Sequence, residues 1–399
     1  AEKVTEQAST SKVFTIKPED FHSIIPKLSV KIGAKVKAGE AVFYNKANEE
    51  MKFPSPVSGE IVDIIRGEKR KILAIKISAE NDQQFVDFGK KDPKAMKADE
   101  IKSHLLAAGC WPFIKQRPYD VIAKPSNTPK AIFVSGYASA PLAADFNYVL
   151  AGKEKELQAA ITALSKLTSG SVHVSVGKND NSPFAGLDNI SLHKVSGPHP
   201  IGNVGTQIAK IDPVNKGEVV WTINPQDLVI IGELLLTGKF NAERIIALAG
   251  SSVAAPKYYK TIIGASIASL VEGKLKGDNN RIISGNVLTG RTKSLKGSFG
   301  FYDTMITVIP EGNDYEMFGW NLPVFNKIST SRALTFSWLF PNKKFDLNTN
   351  TNGEHRAFVV TGNYEEVFPL DIYPMQILKA CKYEDLDEME QLGMYEVAP

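Results

Sequence analysis

Hydrophobic positions fall into three textures along the chain. From Val30 to Ile77, apolar and polar residues alternate in short runs punctuated by glycine. Val30-Lys31-Ile32-Gly33, Ala41-Val42-Phe43, Gly59-Glu60-Ile61-Val62 and Ile72-Leu73-Ala74-Ile75-Lys76-Ile77 are the clearest. Period-two alternation between turn residues predicts short strands. From Ala131 to Leu236, continuous apolar runs alternate with helical spacing. Ala131-Ile132-Phe133-Val134-Ser135 reads as a strand buried on both faces, as in parallel sheets. Leu157, Ile161, Leu164 and Leu167 approach helical spacing and stop at Gly170. Strands follow at Ser171–Val176 and Ile190–Val195. A helix at Pro225–Leu236 has Asp227 in its polar start and Leu228, Ile231 and Leu235 on its apolar face. Strand, loop, helix, strand is a βα unit. Beyond residue 240 the pattern becomes strand-rich, at Arg244–Gly250, Lys260–Ile263, Arg281–Gly290, Phe301–Pro310 and Ala357–Gly362, with a last helix at Ile372–Tyr383.

These textures predict an α/β plus β chain of several domains, as 399 residues exceed one ordinary core. Residues 1–27 are expected to be irregular apart from a short strand at Val13-Phe14-Thr15-Ile16. The glycine-punctuated strand pairs of residues 28–80 resemble the barrel-sandwich hybrid of biotinyl and lipoyl domains. Residues 81–128 are expected to be a linker region with a short helix ending at Gly109. A central Rossmann-like α/β domain over 129–240, a small β-grasp module over 241–295 and a mixed C-terminal α+β region over 296–399 complete the expectation. The barrel resemblance raises a carrier alternative, because carriers place a modified lysine at a hairpin tip, often as Met-Lys. Met51-Lys52 sits directly before Phe53-Pro54-Ser55-Pro56, too close to the next strand for that role, and an undecorated barrel is the expectation.

Composition narrows the class. Hydrophobic content of 43% and charged content of 23% describe a globular protein. A net charge of +3 gives no case for nucleic acid. No apolar run is long enough to cross a bilayer. Cys110 and Cys381 form no metal-ligand spacing with each other or with the six histidines; free or packed thiols are expected. The aromatic groups Phe318-Gly319-Trp320 and Phe336-Ser337-Trp338-Leu339-Phe340 belong to the core or, if exposed, mark a docking surface.

Candidate chemistry lies in two loops. Ser196-Gly197-Pro198-His199-Pro200-Ile201-Gly202-Asn203-Val204-Gly205-Thr206 cannot be helix interior or central strand, given its glycines and prolines. It follows a strand, as does Gly136-Tyr137-Ala138-Ser139-Ala140-Pro141-Leu142-Ala143-Ala144-Asp145. Ligands in such sheets bind outside the carboxyl ends of the strands, so the two loops are expected to share a rim. Neither is a G-x-G-x-x-G fingerprint, and no acid stands where a ribose partner is expected. The candidate pocket is Gly136, Tyr137, Ala138, Asp145, His199, Gly202 and Gly205. Tyr137, His199 and the backbone N–H groups of Gly202–Gly205 are its candidate donors. No catalytic acid, base, nucleophile or metal cluster is evident.

Several runs together resemble a known family. They are Phe53-Pro54-Ser55-Pro56-Val57-Ser58-Gly59, Asn127-Thr128-Pro129-Lys130, Pro141-Leu142-Ala143-Ala144-Asp145, the Ser196–Thr206 loop, Ile283-Ser284-Gly285-Asn286-Val287-Leu288-Thr289-Gly290-Arg291-Thr292 and Gly362-Asn363-Tyr364-Glu365-Glu366-Val367-Phe368-Pro369-Leu370-Asp371. With them the chain resembles the A-type subunit of the bacterial sodium-translocating NADH:quinone reductase. Family members extend beyond residues 1 and 399, so the chain is expected to be a trimmed form. The resemblance implies a peripheral protein on the cytoplasmic face of the inner membrane. Its partners would be the other members of a six-subunit complex that passes electrons from NADH to quinone and exports sodium. Flavins, iron–sulfur centre and NAD are then expected on other subunits, with no cofactor held tightly here and quinone as the suggested ligand. More distantly, the middle domain resembles the flavin-binding subunit of complex I and the C-type subunit of the Rnf complex. Those relatives carry acids in the loop after the first strand to hold flavin; here no carboxylate precedes Asp145, which argues against a tight flavin. A stand-alone flavin-binding oxidoreductase remains the alternative.

Overall fold

The computed structural model describes residues 1–178, 181–319, 323–329 and 332–398, which form four sheets. Near the N-terminus, Val13–Ile16, Ile72–Ala79, Gly59–Arg66 and Lys35–Val36 form one antiparallel sheet. Pro26–Leu28, Ala41–Asn45 and Asn48–Pro54 form another. The alternation read from the sequence turns Phe14, Ile16, Phe43, Phe53, Ile61, Ile75 and Ile77 inward, all buried. Phe43 and Phe53 stack at 4.4 Å between ring centroids, with the edge of Phe21 against Phe53 at 4.5 Å. Lys52 lies inside a strand, opposite Tyr44, and the hairpin tip is at Lys46-Ala47. The carrier alternative therefore lacks the placement it needs.

The middle sheet has the order Val121–Ile122, Lys115–Arg117, Val220–Thr222, Ile132–Ser135, Val172–Gly177, Ser191–Val195. The last four strands are parallel, and Lys115–Arg117 joins them antiparallel along Val220–Thr222. Chain order therefore reverses between the strand at 132–135, which comes first in sequence among the parallel four, and the strand at 220–222, which comes last. The helices Glu154–Leu164 and Pro225–Thr237 pack on each other and on one face. Helix Val204–Ile211 covers part of the other, where Ala131, Phe133, Ile208, Val214 and Val220 meet. Residues 81–128, expected to be a linker region, carry helix Ala98–Ala107 and the hairpin that extends this sheet. The hairpin's strands, polar Lys115-Gln116-Arg117 and the two-residue Val121-Ile122, are too short to show an apolar period.

The third sheet runs Glu2–Gln7, Lys257–Ile262, Glu243–Ala249, Met305–Pro310, Asn280–Ser284, Arg291–Lys293. Its first strand corrects the expectation that residues 1–27 are irregular outside Val13–Ile16. Glu2–Gln7 pairs parallel to Lys257–Ile262 across most of the chain's length. All six of its residues are exposed, so no hydrophobic period announces it. The opposite error occurs at Ala357–Gly362, expected to be a strand. This run, with β-branched Val359, Val360 and Thr361, has no strand partner among the described residues, and Ala357–Thr361 are exposed. Trp320, of the expected aromatic cluster, lies outside the described residues. Cys110 is buried, Cys381 is exposed, and neither is in a disulfide.

Candidate functional site

The two candidate loops meet as expected, and hydrogen bonds hold them together. Ser139 Oγ accepts from Gly202 N–H at 2.8 Å and shares a 3.0 Å hydrogen bond with His199 Nδ1. Ser135 Oγ donates to the Gly202 carbonyl at 2.8 Å. The Gln207 amide donates both to Ser135 Oγ and to the Ile201 carbonyl, at 2.8 and 3.0 Å. Gly202 is required by this closeness: a Cβ there would lie 2.4 Å from Ser139 N and 2.8 Å from the Tyr137 carbonyl.

Beside the latch opens a cleft of about 390 Å³, within the range of small-molecule sites. One wall is Ser135, Tyr137 and Ala138 with His199, Gly202, Asn203 and Val204. The floor and far wall are Thr222, Ile223, Asn224, Pro225 and Asp227, with Lys115, Arg117 and Asp120 from the edge hairpin. Asn286, Leu288, Thr289 and Tyr302 close it from the third sheet. The cleft thus lies at the carboxyl ends of the strands at 132–135 and 220–222, between which chain order reverses. That is where open parallel sheets bind ligands, because adjacent loops diverge there.

Four of the seven expected site residues, Tyr137, Ala138, His199 and Gly202, line this cleft. The other three do not. Gly136 is turned back on the sheet, where a Cβ would press on Phe184 and the Ser175 carbonyl at 3.1 Å. Gly205 is buried within its helix and borders a small hollow beside Arg117 and Tyr395. Asp145 caps helix Phe146–Val149 through Asn147 N–H and pairs with Lys3 Nζ at 2.6 Å. Its own N–H donates to the Tyr258 hydroxyl at 2.9 Å. Asp145 therefore clamps the middle domain to the third sheet. The expected backbone donors are also reduced, because Gly202 N–H is taken by Ser139 and Asn203 N–H by the Pro200 carbonyl.

The floor holds residues that the sequence did not single out as a site. Asp227, in the first turn of Pro225–Thr237, is 1% exposed, and its Oδ1 lies 2.5 Å from Arg244 Nη2. Arg244, 2% exposed, also donates to the Asp303 carbonyl at 3.3 Å. Among the described residues, Asp227 Oδ2 has no hydrogen-bond partner. Burial pushes the Asp227 carboxyl up to about 6, against the pull of Arg244. Tyr302, whose hydroxyl donates to the Pro112 carbonyl at 2.6 Å, is raised by burial and by the Asp227 charge. Burial also pushes the Cys110 thiol up, away from thiolate chemistry. Lys115 lies 4.4 Å from the Tyr302 ring centroid and 3.4 Å from Asp120 Oδ2; Arg117 Nε lies 3.5 Å from Asp120 Oδ1. The N-termini of Val204–Ile211 and Pro225–Thr237 border the cleft through Asn203 and Asn224, adding positive potential. The sequence signal for this floor was faint: an acid in a helix start that also suits simple dipole compensation, and a hairpin of mixed charge.

Together these features define a multidomain α/β protein with a ligand-sized cleft between its middle domain and a neighbouring mixed sheet. Comparison with known proteins then places it. Residues 1–80 match the family described as the NqrA N-terminal barrel-sandwich hybrid domain, residues 96–240 the NqrA second alpha/beta domain, and residues 245–294 the NQRA C-terminal domain. The chain is 38% identical over 381 residues to the NqrA subunit of the Na(+)-translocating NADH-quinone reductase of Cellvibrio japonicus, covering 95% of this chain and 85% of that one. It is 37% identical to the corresponding subunits from Neisseria meningitidis serogroup B and Haemophilus influenzae, with the same coverage. The chain belongs to the NqrA family of Na(+)-translocating NADH-quinone reductase subunits. Among solved structures, a chain of an NAD+-reducing [NiFe]-hydrogenase is similar at a TM-score of 0.37 and 12% identity, over 55% of this chain and 48% of that one, too low to carry an argument. Among the described residues, no helix is long and apolar enough to cross a membrane, and no group of three or more histidine, cysteine or acidic side chains is placed to hold a metal.

Proposed function

We propose that this chain is the peripheral A-type subunit of a membrane complex that oxidises NADH with quinone and exports sodium, docked on the cytoplasmic face of the inner membrane. The observation that carries this reading is family membership over 95% of the chain. In it, flavins, iron–sulfur centre and NAD belong to other subunits, and this chain holds no cofactor tightly. The parallel order of the middle strands supports a Rossmann-like domain over 129–240. The helix Ile267–Val271 beside the third sheet supports a β-grasp module over 241–295. The barrel-sandwich domain takes 28–80, and the segments 81–128 and 296–399 connect and follow these units. The exposed apolar side chains between Glu311 and Tyr373 are the docking surface for the other subunits. Co-expression with those subunits and capture of the assembly tests the role; recovery of this chain alone contradicts it.

The cleft is the quinone site in this reading. Its chemistry supports that use: an apolar edge from Phe113, Phe146 and Leu288, with Tyr137 and His199 at one wall as hydrogen-bond groups. Titration of the chain with a quinone analogue tests it. Tyr137→Phe and His199→Ala are each expected to weaken binding several-fold, by about one neutral hydrogen bond. Unchanged affinity in both removes them from the site.

A further inference from the structure

The floor of the cleft is chemically unlike a site shaped for a quinone alone. A quinone ring carries only carbonyl acceptors. Asp227 is a lining residue of the cleft, and its two oxygens are not equivalent. Oδ1 is taken by Arg244, which is not among the residues lining the cleft. Oδ2 is buried and has no hydrogen-bond partner among the described residues. A buried carboxylate oxygen left without a donor carries a large desolvation cost. A carbonyl brought against it adds acceptor–acceptor repulsion, whereas a hydroxyl supplies the missing donor.

We propose that Asp227 Oδ2 accepts a hydrogen bond from a hydroxyl of the reduced, hydroquinone form, so that the cleft holds quinol more tightly than quinone. The proposal rests on the reading of this cleft as a quinone site. Asp227 is a binding residue in it, and no electron or proton transfer is assigned to it. The groups around Asp227 favour this role for the ionised carboxylate. Arg244 on the strand Glu243–Ala249 fixes one oxygen, and Lys115 on the edge hairpin adds attraction. Arg117 and Asp120 offset each other on the same hairpin. Tyr302 and Cys110, both held neutral by burial, contribute no opposing charge. Because the Asp227 carboxyl is raised to about 6, the preference is built to change with pH. Above that value the carboxylate accepts from a hydroxyl. Below it the protonated carboxyl donates to a carbonyl, and quinone gains.

The test uses the full 399-residue chain and a fully substituted probe pair that cannot add to thiols: 2,3-dimethoxy-5,6-dimethyl-1,4-benzoquinone and its hydroquinone, held anaerobically. Affinities are read by calorimetry at pH 5 and pH 7.5. At the higher pH the hydroquinone is expected to bind roughly tenfold or more tighter, the strength of one hydrogen bond to a charged acceptor. The preference is expected to collapse or invert at the lower pH, and also in Asp227→Asn, whose amide donates to a carbonyl. The pH series on the unaltered chain decides the matter even if the variant fails to fold. Equal affinity for the two forms at both pH values overturns the assignment to Asp227 while leaving the cleft as a quinone site. Absence of binding by either form overturns the reading of the cleft itself, and the assignment with it.

Discussion

The latched cleft and the stretch from Glu311 to Tyr373 use similar residue types to opposite ends. Around the cleft, Phe133, Trp221, Leu228 and Phe113 are all buried, and the two loops are tied by a chain of side-chain hydrogen bonds through Ser135, Ser139 and Gln207. Between Glu311 and Tyr373 the described residues hold one short 3₁₀ turn, Ser337–Leu339, and one isolated bridge between Val324 and Thr335. There Met317 is 82% exposed and Val367 75%, and Phe318, Phe325, Trp338, Phe340 and Val360 are all more than a third exposed. Hydrophobic content alone therefore does not make a core. Side chains that repeat with the period of a strand or helix share one face and bury together, and those without a shared period stay exposed.

The difference should appear most strongly in stability. Arg244→Met leaves the buried Asp227 carboxylate without its cation and is expected to cost about 3–5 kcal/mol in denaturant unfolding. Trp338→Ala, in the exposed stretch, is expected to change the same measurement by about 0.5 kcal/mol or less. Equal effects would erase the contrast. Next in size is the latch: Gly202→Ala forces a Cβ against Ser139 and Tyr137 and is expected to cost about 1–3 kcal/mol, as in other overpacked sites, and to weaken ligand binding in the cleft. Normal stability in that variant would show that the loops are not held as closely as the geometry states.

The smallest effect is a pH dependence. The Asp227 carboxyl is raised from 3.8 to about 6, so between these values the folded chain binds more protons at this group than the unfolded chain. Its contribution to stability is then fully present below pH 3.8 and is lost as pH rises through 6. Unfolding midpoints of the native chain and of Asp227→Asn, compared between pH 5 and 7.5, are expected to differ in slope in that sense. A parallel dependence in both contradicts the shift.

How much of this was legible in the sequence follows from where each signal resides. The strand Ile132–Ser135 is plain because burial on both faces gives a continuous apolar run, Ile132-Phe133-Val134. Val172–Gly177 and Ser191–Val195 follow it in apolar alternation, whereas Val220–Thr222, three buried residues long, carries too short a pattern and was not read. The meeting of the two loops was legible from strand order and glycine placement. The strand Glu2–Gln7 was not, since backbone pairing with Lys257–Ile262 holds it and its side chains face solvent. The false strand at Ala357–Gly362 shows the converse, β-propensity without a partner strand. The floor was missed because Asp227 acquires its meaning only from Arg244, 17 residues away in sequence and 2.5 Å away in space. Asp145 was misplaced for a related reason: a carboxylate near a rim resembles a ligand group until Lys3 and Tyr258 are seen to hold it.

The decisive experiment is backbone hydrogen exchange across residues 311–373, in the free chain and in the assembled membrane complex. If this chain offers that stretch to its partner subunits, the amides there should exchange rapidly in the free chain and be protected on assembly, while the strand Ile132–Ser135 is protected in both. Unchanged exchange across 311–373 on assembly would contradict it.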